Sequence, residues 1–445
     1  MNHHEHFTLT PRLKPLSVRR NTTLSVLDIG DSKVVCLIAD LHPVAPENSK
    51  NGKTHVAHII GIGHQISSGM KRGAIVDLEA TEYAIRHAVS SAERMARAEV
   101  QSVIVNVSGG RLASLQTKGQ VSLDSGMVNH SDIANVLDIA SQHHGQFSRA
   151  LAHSIPVSYQ LDNQEHIIDP IGMAGEKLGV KMHLISTDTS LIKNLTLVIE
   201  RCRLKINSFV ATPYASGLSV LTDDEMDMGC VLLDIGCGTT SIGVFDEGCL
   251  VHADAFAIGG NHISMDIARG LGLRHSTAER LKLMHGTAFW IQQDDRNIIT
   301  IPNDPETGNH SYQEPRHISK GRLSRIIQPR VEEIFEFAKS RLLQAGFTRH
   351  MKQCIVLTGG TSQLNGISEI ATYILGEHSR IGQPERLKGL PDAASSPLFS
   401  TAVGLLRYPQ VAHTEYFESY SNKKYAATGT HGYFSRVGQW IKESF

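Results

Sequence analysis

The chain predicts an α/β fold of two duplicated lobes around a phosphate-holding cleft, and three short stretches carry that prediction. Ser25–Ser32 (SVLDIGDS) and Val231–Thr240 (VLLDIGCGTT) lie about 200 residues apart and are built alike. Each runs an apolar strand into Asp-Ile-Gly, then a polar turn, then a second apolar strand. In such a turn glycine lets the backbone bend sharply and approach an oxygen closely. Exposed amides and hydroxyls donate hydrogen bonds, and the aspartate can hold Mg²⁺ through water. Finding the turn twice points to two half-clamps. Cys354–Ser362 (CIVLTGGTS) is the third stretch, a buried-type strand ending in a glycine pair before a helix-like segment. That shape lets a flat ring lie against backbone.

At 445 residues the chain exceeds a single core, so two to four domains are expected. A composition of 41% hydrophobic and 20% charged residues is that of a soluble globular protein. The net charge of −1 argues against a general nucleic-acid binder, because neutralising phosphates needs a basic excess. No apolar run reaches the roughly 18 residues of a membrane span, and the polar, His-bearing start is no signal peptide, which predicts a cytoplasmic protein. The six cysteines sit mostly in apolar strand-like runs without a Cys-x-x-Cys pair, as buried reduced thiols do. Cys237 differs in lying within the second phosphate turn.

In chain order, residues 1–20 read as a flexible, basic extension. From Thr23 the pattern is strand, turn, strand, then a polar hairpin at 43–54, then a strand over His55–Gly61. Asp77–Ala98 has helical spacing behind Asp77 as cap. Residues 98–177 read as an inserted α+β subdomain, including strands at Val100–Val107, Ala150–Gln160 and Glu165–Ile168 and a helix at Ser131–Gln142. Lys181–Ser186 reads as a strand returning to the first domain and Ser190–Arg201 as an amphipathic helix. Strand, turn and helix over Ile206–Leu221 lead to the second phosphate turn. Helices follow at Gly259–Gly270 and Ser276–Met284, the latter with Ser276 and Glu279 at capping-box spacing. Lys320–Gly346 reads as a long helix pair with Pro329 marking a kink or restart, and Leu398–Tyr408 is a last helix that can cross between halves.

Taken in this order, the three turns resemble the two phosphate motifs and the adenosine motif of the actin, sugar-kinase and heat-shock-chaperone ATPase superfamily. Longer stretches are similar to one family, the bacterial divisome actin homologue FtsA. They include Gly69-Met-Lys-Arg-Gly73-Ala-Ile-Val-Asp77, His153-Ser-Ile-Pro156-Val-Ser-Tyr159, Pro170-Ile-Gly172-Met-Ala-Gly175, Val198-Ile-Glu200-Arg-Cys202, Ile327-Gln-Pro329-Arg330-Val-Glu332-Glu333 and Ser400-Thr-Ala-Val-Gly404. The resemblance spans about residues 22–410 and resumes at the C-terminal tail. It implies subdomain 1A over 21–97 and 178–211, 1C as the insertion at 98–177, 2A with its crossing helix over 212–275 and 347–408, and 2B over 276–346.

The resemblance further implies ATP with Mg²⁺ in the cleft. Asp28, Gly30, Asp31, Ser32 and Lys33 would hold it on one side, and Asp234, Gly236, Gly238, Thr239 and Thr240 on the other. Asp28 and Asp234 would reach the metal through water, and Gly359, Gly360 and Thr361 would receive the adenosine. Glu279 and Lys282 match positions near the ribose or base, although a solvated helix face would use the same residues. Where relatives carry a final carboxylate in the second turn this chain has Ser241, and a chaperone-type Glu-Pro is here Thr212-Pro213. Orienting water for hydrolysis needs such groups, so binding is expected and turnover is expected to be weak or absent.

Also implied are actin-like self-assembly, recruitment of later divisome membrane proteins, and anchoring of the tubulin-like division protein FtsZ at the inner membrane. The FtsZ C-terminal peptide would meet Lys320, Arg322, Arg325 and Arg330, which a solvated basic face would also explain. Residues 409–431 read as a flexible linker and 432–445 as an in-plane amphipathic helix. At about 100° per residue Phe434, Val437, Ile441 and Phe445 share one stripe with Trp440 beside it, suited to an anionic phospholipid surface. The rival readings are a small-molecule kinase of the same fold and a pilus-assembly-type or chaperone-like homologue; the insertion and the terminal helix favour the division protein.

Overall fold

Strands Thr22–Ile29 and Cys230–Ile235 are apolar on both faces, so each has to be covered from two sides. The computed structural model describes residues 8–13, 15–17, 19–44, 54–109, 111–141, 149–301, 316–348, 353–376 and 378–416, and in it both strands are the centre of a five-stranded sheet. In the first lobe the order is His55–Ile66, Lys33–Pro43, Thr22–Ile29, Ser102–Val107 and Lys205–Ala211. The first three run antiparallel, and the last two join in parallel. The second lobe repeats this with Cys249–Phe256, Thr240–Asp246, Cys230–Ile235, Ile355–Thr358 and Ser379–Ile381. Its pairings are antiparallel twice and then parallel twice. Asp28 and Asp234 therefore occupy equivalent strand ends, as the repeated motif predicts.

Helices Thr212–Val220 and Ser400–Val411 lie between the two sheets, buried along most of their length. Alternation along Cys230–Ile235 divides its side chains: Cys230 and Leu232 join the core of the first lobe, while Val231, Leu233 and Ile235 join a second core. Helix Leu78–Ala96 starts at the predicted cap, where the Asp77 carboxylate accepts from the Ala80 amide at 3.0 Å. The expected helix pair is instead one continuous helix, Lys320–Gln344, with Pro329 inside it. Ser276 and Glu279 form no capping box: helix His275–His285 begins after Arg274 without a side-chain cap, because Glu279 is turned toward Ser264 and Lys282.

The inserted subdomain is shifted from the expected 98–177. Ser102–Val107 belongs to the first lobe, hydrogen-bonded in parallel to Thr22–Ile29. Lys177–Asp188, expected in part to return to that lobe, is instead the long middle strand of the insert, between Arg149–Leu161 and Ala113–Ser122. A buried apolar strand carries no mark of which sheet it joins. The insert also touches the second lobe along its edge strand. His183 Nδ1 donates to the Leu250 carbonyl at 2.7 Å, and Gln116 donates to that of Val251 at 3.3 Å. The Ala253 amide donates to Ser114 Oγ at 2.7 Å. Burial pushes the His183 pKa down to about 3, so the ring works as a neutral connector.

The described parts of the two end segments, within residues 8–20 and 409–416, depart from their predicted flexibility. Thr8–Leu9 adds a parallel strand to the insert, Thr10 donates to the Leu151 carbonyl at 2.9 Å, and Arg12 donates to that of Ala152 at 3.1 Å. The last helix runs to Val411, and the residues up to Tyr416 fold onto the insert rather than opening a linker at 409. The Tyr416 amide donates to the Ser154 carbonyl at 2.9 Å. Glu415 is fully buried against His153 Nδ1 at 3.0 Å. His153 Nε2 accepts from the Ala211 amide at 2.9 Å, so Nδ1 carries the proton given to Glu415. The terminal segment with Phe434, Val437, Trp440, Ile441 and Phe445 lies outside the described residues. Among the described residues no helix is long and apolar enough to cross a membrane.

Glu415→Ala leaves the buried His153 donor unpaired and is expected to cost about 1–3 kcal/mol. Denaturant titration followed by circular dichroism measures the loss, and hydrogen exchange should quicken at residues 8–12.

Candidate functional site

The two phosphate turns close in the same way. The Gly30 amide donates to the Lys33 carbonyl at 2.9 Å, and the Gly236 amide donates to the Thr239 carbonyl at 2.9 Å. They face each other across a narrow cavity of about 80 Å³ lined by Asp28, Asp31, Lys33, Asp234, Gly238 and Gly359 among others. Contact between them is close enough that a Cβ on Gly238 would lie 1.7 Å from Asp31 Oδ2. Asp31 is held in turn by the amides of Arg72 and, at 2.8 Å, Gly73. Every residue expected to hold phosphate in the two turns lines this cavity except Thr240, whose hydroxyl donates to the Ile258 carbonyl at 2.8 Å.

Two carboxylates and one ammonium set the electrostatics. Burial raises the Asp28 pKa to about 6, with Lys33 opposing the shift and Asp234 adding to it. Asp234 is also raised by burial, against hydrogen bonds from Ser216 and Thr401. Lys33 is pushed down to about 8 by burial, its charge favoured by both aspartates. Its ammonium donates to the Leu398 carbonyl at 2.5 Å and sits 3.7 Å over the Phe399 ring. The Cys237 thiol is pushed up to about 11 by burial, which leaves it a poor nucleophile.

Beside the second turn, Thr361 donates to the Gly236 carbonyl at 2.8 Å, and the Gly260 amide to the same oxygen at 3.0 Å. Lys282 joins Glu279 at 2.9 Å and the Gly260 carbonyl at 3.1 Å. A Cβ on Gly260 would meet Thr361 Oγ1 at 2.3 Å. The predicted adenosine turn and the Glu279–Lys282 pair are thus brought together on one flank of the cleft.

Sequence reasoning missed four residues that support the site. Asn106 accepts from the Ile29 amide at 2.7 Å and fixes the end of the first central strand. Its signal was available as the one polar residue in the middle of the apolar run Val103–Val107. Ser216, Thr401 and Leu398 left no local signal, because their partners are far away in the chain.

A Mg²⁺ ion held with phosphates fits this donor set. Among the described residues no three His, Cys, Asp or Glu side chains gather to hold a metal by themselves. Two inward carboxylates with raised pKa values supply the negative charge that a hydrated cation would offset. Glycines keep both turns open to close backbone approach.

The four basic candidates of the long helix do not form one free face. Lys320 pairs with Asp294 at 3.2 Å, and Arg325 with Asp295 at 2.6 Å while lying 4.6 Å over the Trp290 ring. Arg330 is drawn the other way, to Asp266 at 2.6 Å and to Glu333. Arg322 is exposed.

Duplicated sheets, facing glycine turns and two crossing helices define a protein of the actin-like ATPase fold. The structure is similar to the PilM–PilN type IV pilus biogenesis complex, with a TM-score of 0.59 at 16% identity over 87% of this chain and 98% of that one. It is also similar to MreB5 of Spiroplasma citri bound to ADP, with a TM-score of 0.51 at 14% identity over 88% of this chain and 96% of that one. The family model described as cell division protein FtsA matches residues 231–404, and that of the SHS2 domain inserted in FtsA matches 109–186. Cell division protein FtsA of Rhizobium meliloti (strain 1021) is 46% identical over 98% of this chain and 98% of its own length. That of Escherichia coli (strain K12) is 32% identical over 94% and 97%. The chain belongs to the FtsA family of cell division proteins.

A carboxyl raised by burial binds its proton more tightly folded than unfolded. Its burial costs nothing below the unfolded value of 3.8 and is fully felt above about 6. Asp28→Asn is therefore expected to stabilise the Mg²⁺-free, nucleotide-free protein at pH 7.5 by up to about 3 kcal/mol, and to lose that advantage below pH 4. Thermal melts across pH measure it.

Proposed function

We propose that this chain binds ATP with Mg²⁺ between its lobes, self-assembles as an actin-like protofilament, and anchors the FtsZ ring to the cytoplasmic face of the inner membrane. It thereby helps to recruit later divisome membrane proteins. The observation that carries the nucleotide reading is the pair of equivalent turns, one from each sheet, closing on a single cavity with two buried carboxylates. Asp28, Gly30, Asp31, Ser32 and Lys33 take one side of the triphosphate, and Asp234, Gly236, Gly238, Thr239 and Thr240 form the other wall. The amides of these turns donate to phosphate oxygens, and Asp28 and Asp234 hold the hydrated metal. Gly359, Gly360, Thr361, Glu279 and Lys282 lie where adenosine would leave the phosphates. Thr212 and Ser241 stand in the cleft where a water-orienting carboxylate would be needed, which favours binding over turnover.

Gly238→Val drives a side chain into Asp31, so it is expected to weaken binding of a fluorescent ATP analogue at least about tenfold, roughly the 1.4 kcal/mol of one misplaced contact. Fluorescence titration reads it, and unchanged affinity would remove the second turn from the site.

Membrane attachment rests on the terminal stripe of Phe434, Val437, Trp440, Ile441 and Phe445. Its apolar side chains would supply roughly 1.5–3 kcal/mol each before the cost of ordering the helix. One copy would attach reversibly and a filament of many copies firmly. Sedimentation with anionic liposomes and ATP separates the parts: full-length protein is expected in the pellet and a version ending at Thr430 in the supernatant. For the FtsZ C-terminal peptide, Arg322 and Arg325 lead by exposure: Arg325 stays open to solvent although it pairs with Asp295, whereas Lys320 and Arg330 are half-buried against Asp294 and Asp266. An R322E/R325E variant that keeps full peptide affinity in an anisotropy titration would exclude this face.

A further inference from the structure

We infer that Ser216 and Thr401 are positioning residues for Asp234, through which the two helices between the lobes set how the second phosphate turn presents its carboxylate to Mg²⁺. This rests on the nucleotide reading above and adds to it a residue pair outside the phosphate turns. Ser216 donates to Asp234 Oδ2, and Thr401 donates to the same oxygen at 3.2 Å. The two hydroxyl oxygens are 3.1 Å apart, and all three side chains are buried. Asp234 Oδ1, by contrast, lies over Gly359, where a Cβ would come within 2.4 Å. One oxygen is thus tied back into the protein, and the other is left toward the cleft. Among the described residues Asp28, the equivalent group of the first lobe, receives no side-chain hydrogen bond, so this restraint belongs to one lobe alone.

The two donors come from different helices. Ser216 stands on Thr212–Val220 and Thr401 on Ser400–Val411. These helices cross so tightly that a Cβ on Gly404 would lie 1.7 Å from the Ala215 carbonyl oxygen. Further hydroxyls continue the seam: Ser219 donates to the Ser400 carbonyl at 2.7 Å, and Thr358 pairs with Ser400 Oγ at 2.6 Å. Both donors keep their bonds to one carboxylate oxygen only while this crossing is held. A shift of either helix would free Asp234 to rotate, so the packing between the lobes and the carboxylate facing the metal are one mechanical unit. Partners of this kind orient a ligand that a metal or its water shell then uses.

The test is titration of the full-length protein with trinitrophenyl-ATP, with MgCl₂ and with EDTA, for wild type, Ser216→Ala, Thr401→Val, the double variant, and the hydroxyl-keeping Thr401→Ser. Wild type is expected to bind more tightly with Mg²⁺. The double variant should lose about tenfold of that gain, the lower end for lost outer-shell partners, while its affinity in EDTA stays within about twofold. Thr401→Ser should restore the gain. Equal losses with and without Mg²⁺ would mean a merely structural role and overturn the inference, as would a double variant that keeps the whole gain. A wild type that binds no nucleotide would overturn the reading of the cleft itself, an outcome distinct from either.

Discussion

Asp28 and Asp234 end equivalent central strands, buried and facing one cavity, and their burial poses the electrostatic problem that the surrounding structure answers. Each carboxylate lifted out of water costs free energy unless charge or donors compensate it. Lys33 compensates both from the first lobe, held over Phe399 and against the Leu398 carbonyl. Ser216 and Thr401 compensate Asp234 from between the lobes. Two buried acids with raised pKa values are a pair that a divalent cation would stabilise.

The duplication explains why these groups converge. A sheet of three antiparallel and two parallel strands places the turn after its central strand at one end, and repeating the sheet gives two such turns. The helices packed between the sheets bring them face to face. The insert then adds a brace on another side, since His183, Ser114 and Gln116 reach the second lobe while its own strands continue from the first.

The turns, the order of helices and strands, and the cap at Asp77 were legible because their determinants are local: glycine after an acid, alternation, a capping side chain. Membership in a sheet was less so. Ser102–Val107 and Lys177–Asp188 are apolar or alternating whichever neighbour they take, so their pattern alone puts both on the wrong side of the insert boundary. The docking of Thr8–Leu9 and Glu415 was invisible because it depends on partners far away in sequence, as the 262-residue separation of His153 and Glu415 illustrates. Glu279 shows the opposite error, in which a local cap spacing was real but a tertiary partner, Ser264, claimed the side chain.

The contact between insert and second lobe also covers a sheet edge. Cys249–Phe256 is the outer strand of its sheet, and an outer strand offers unpaired amides and carbonyls to any passing chain. Here Leu250, Val251 and Ala253 have those groups taken by a histidine, an amide and a hydroxyl instead of by another strand. Over residues 250–253 a further strand would therefore find these ladder groups already taken.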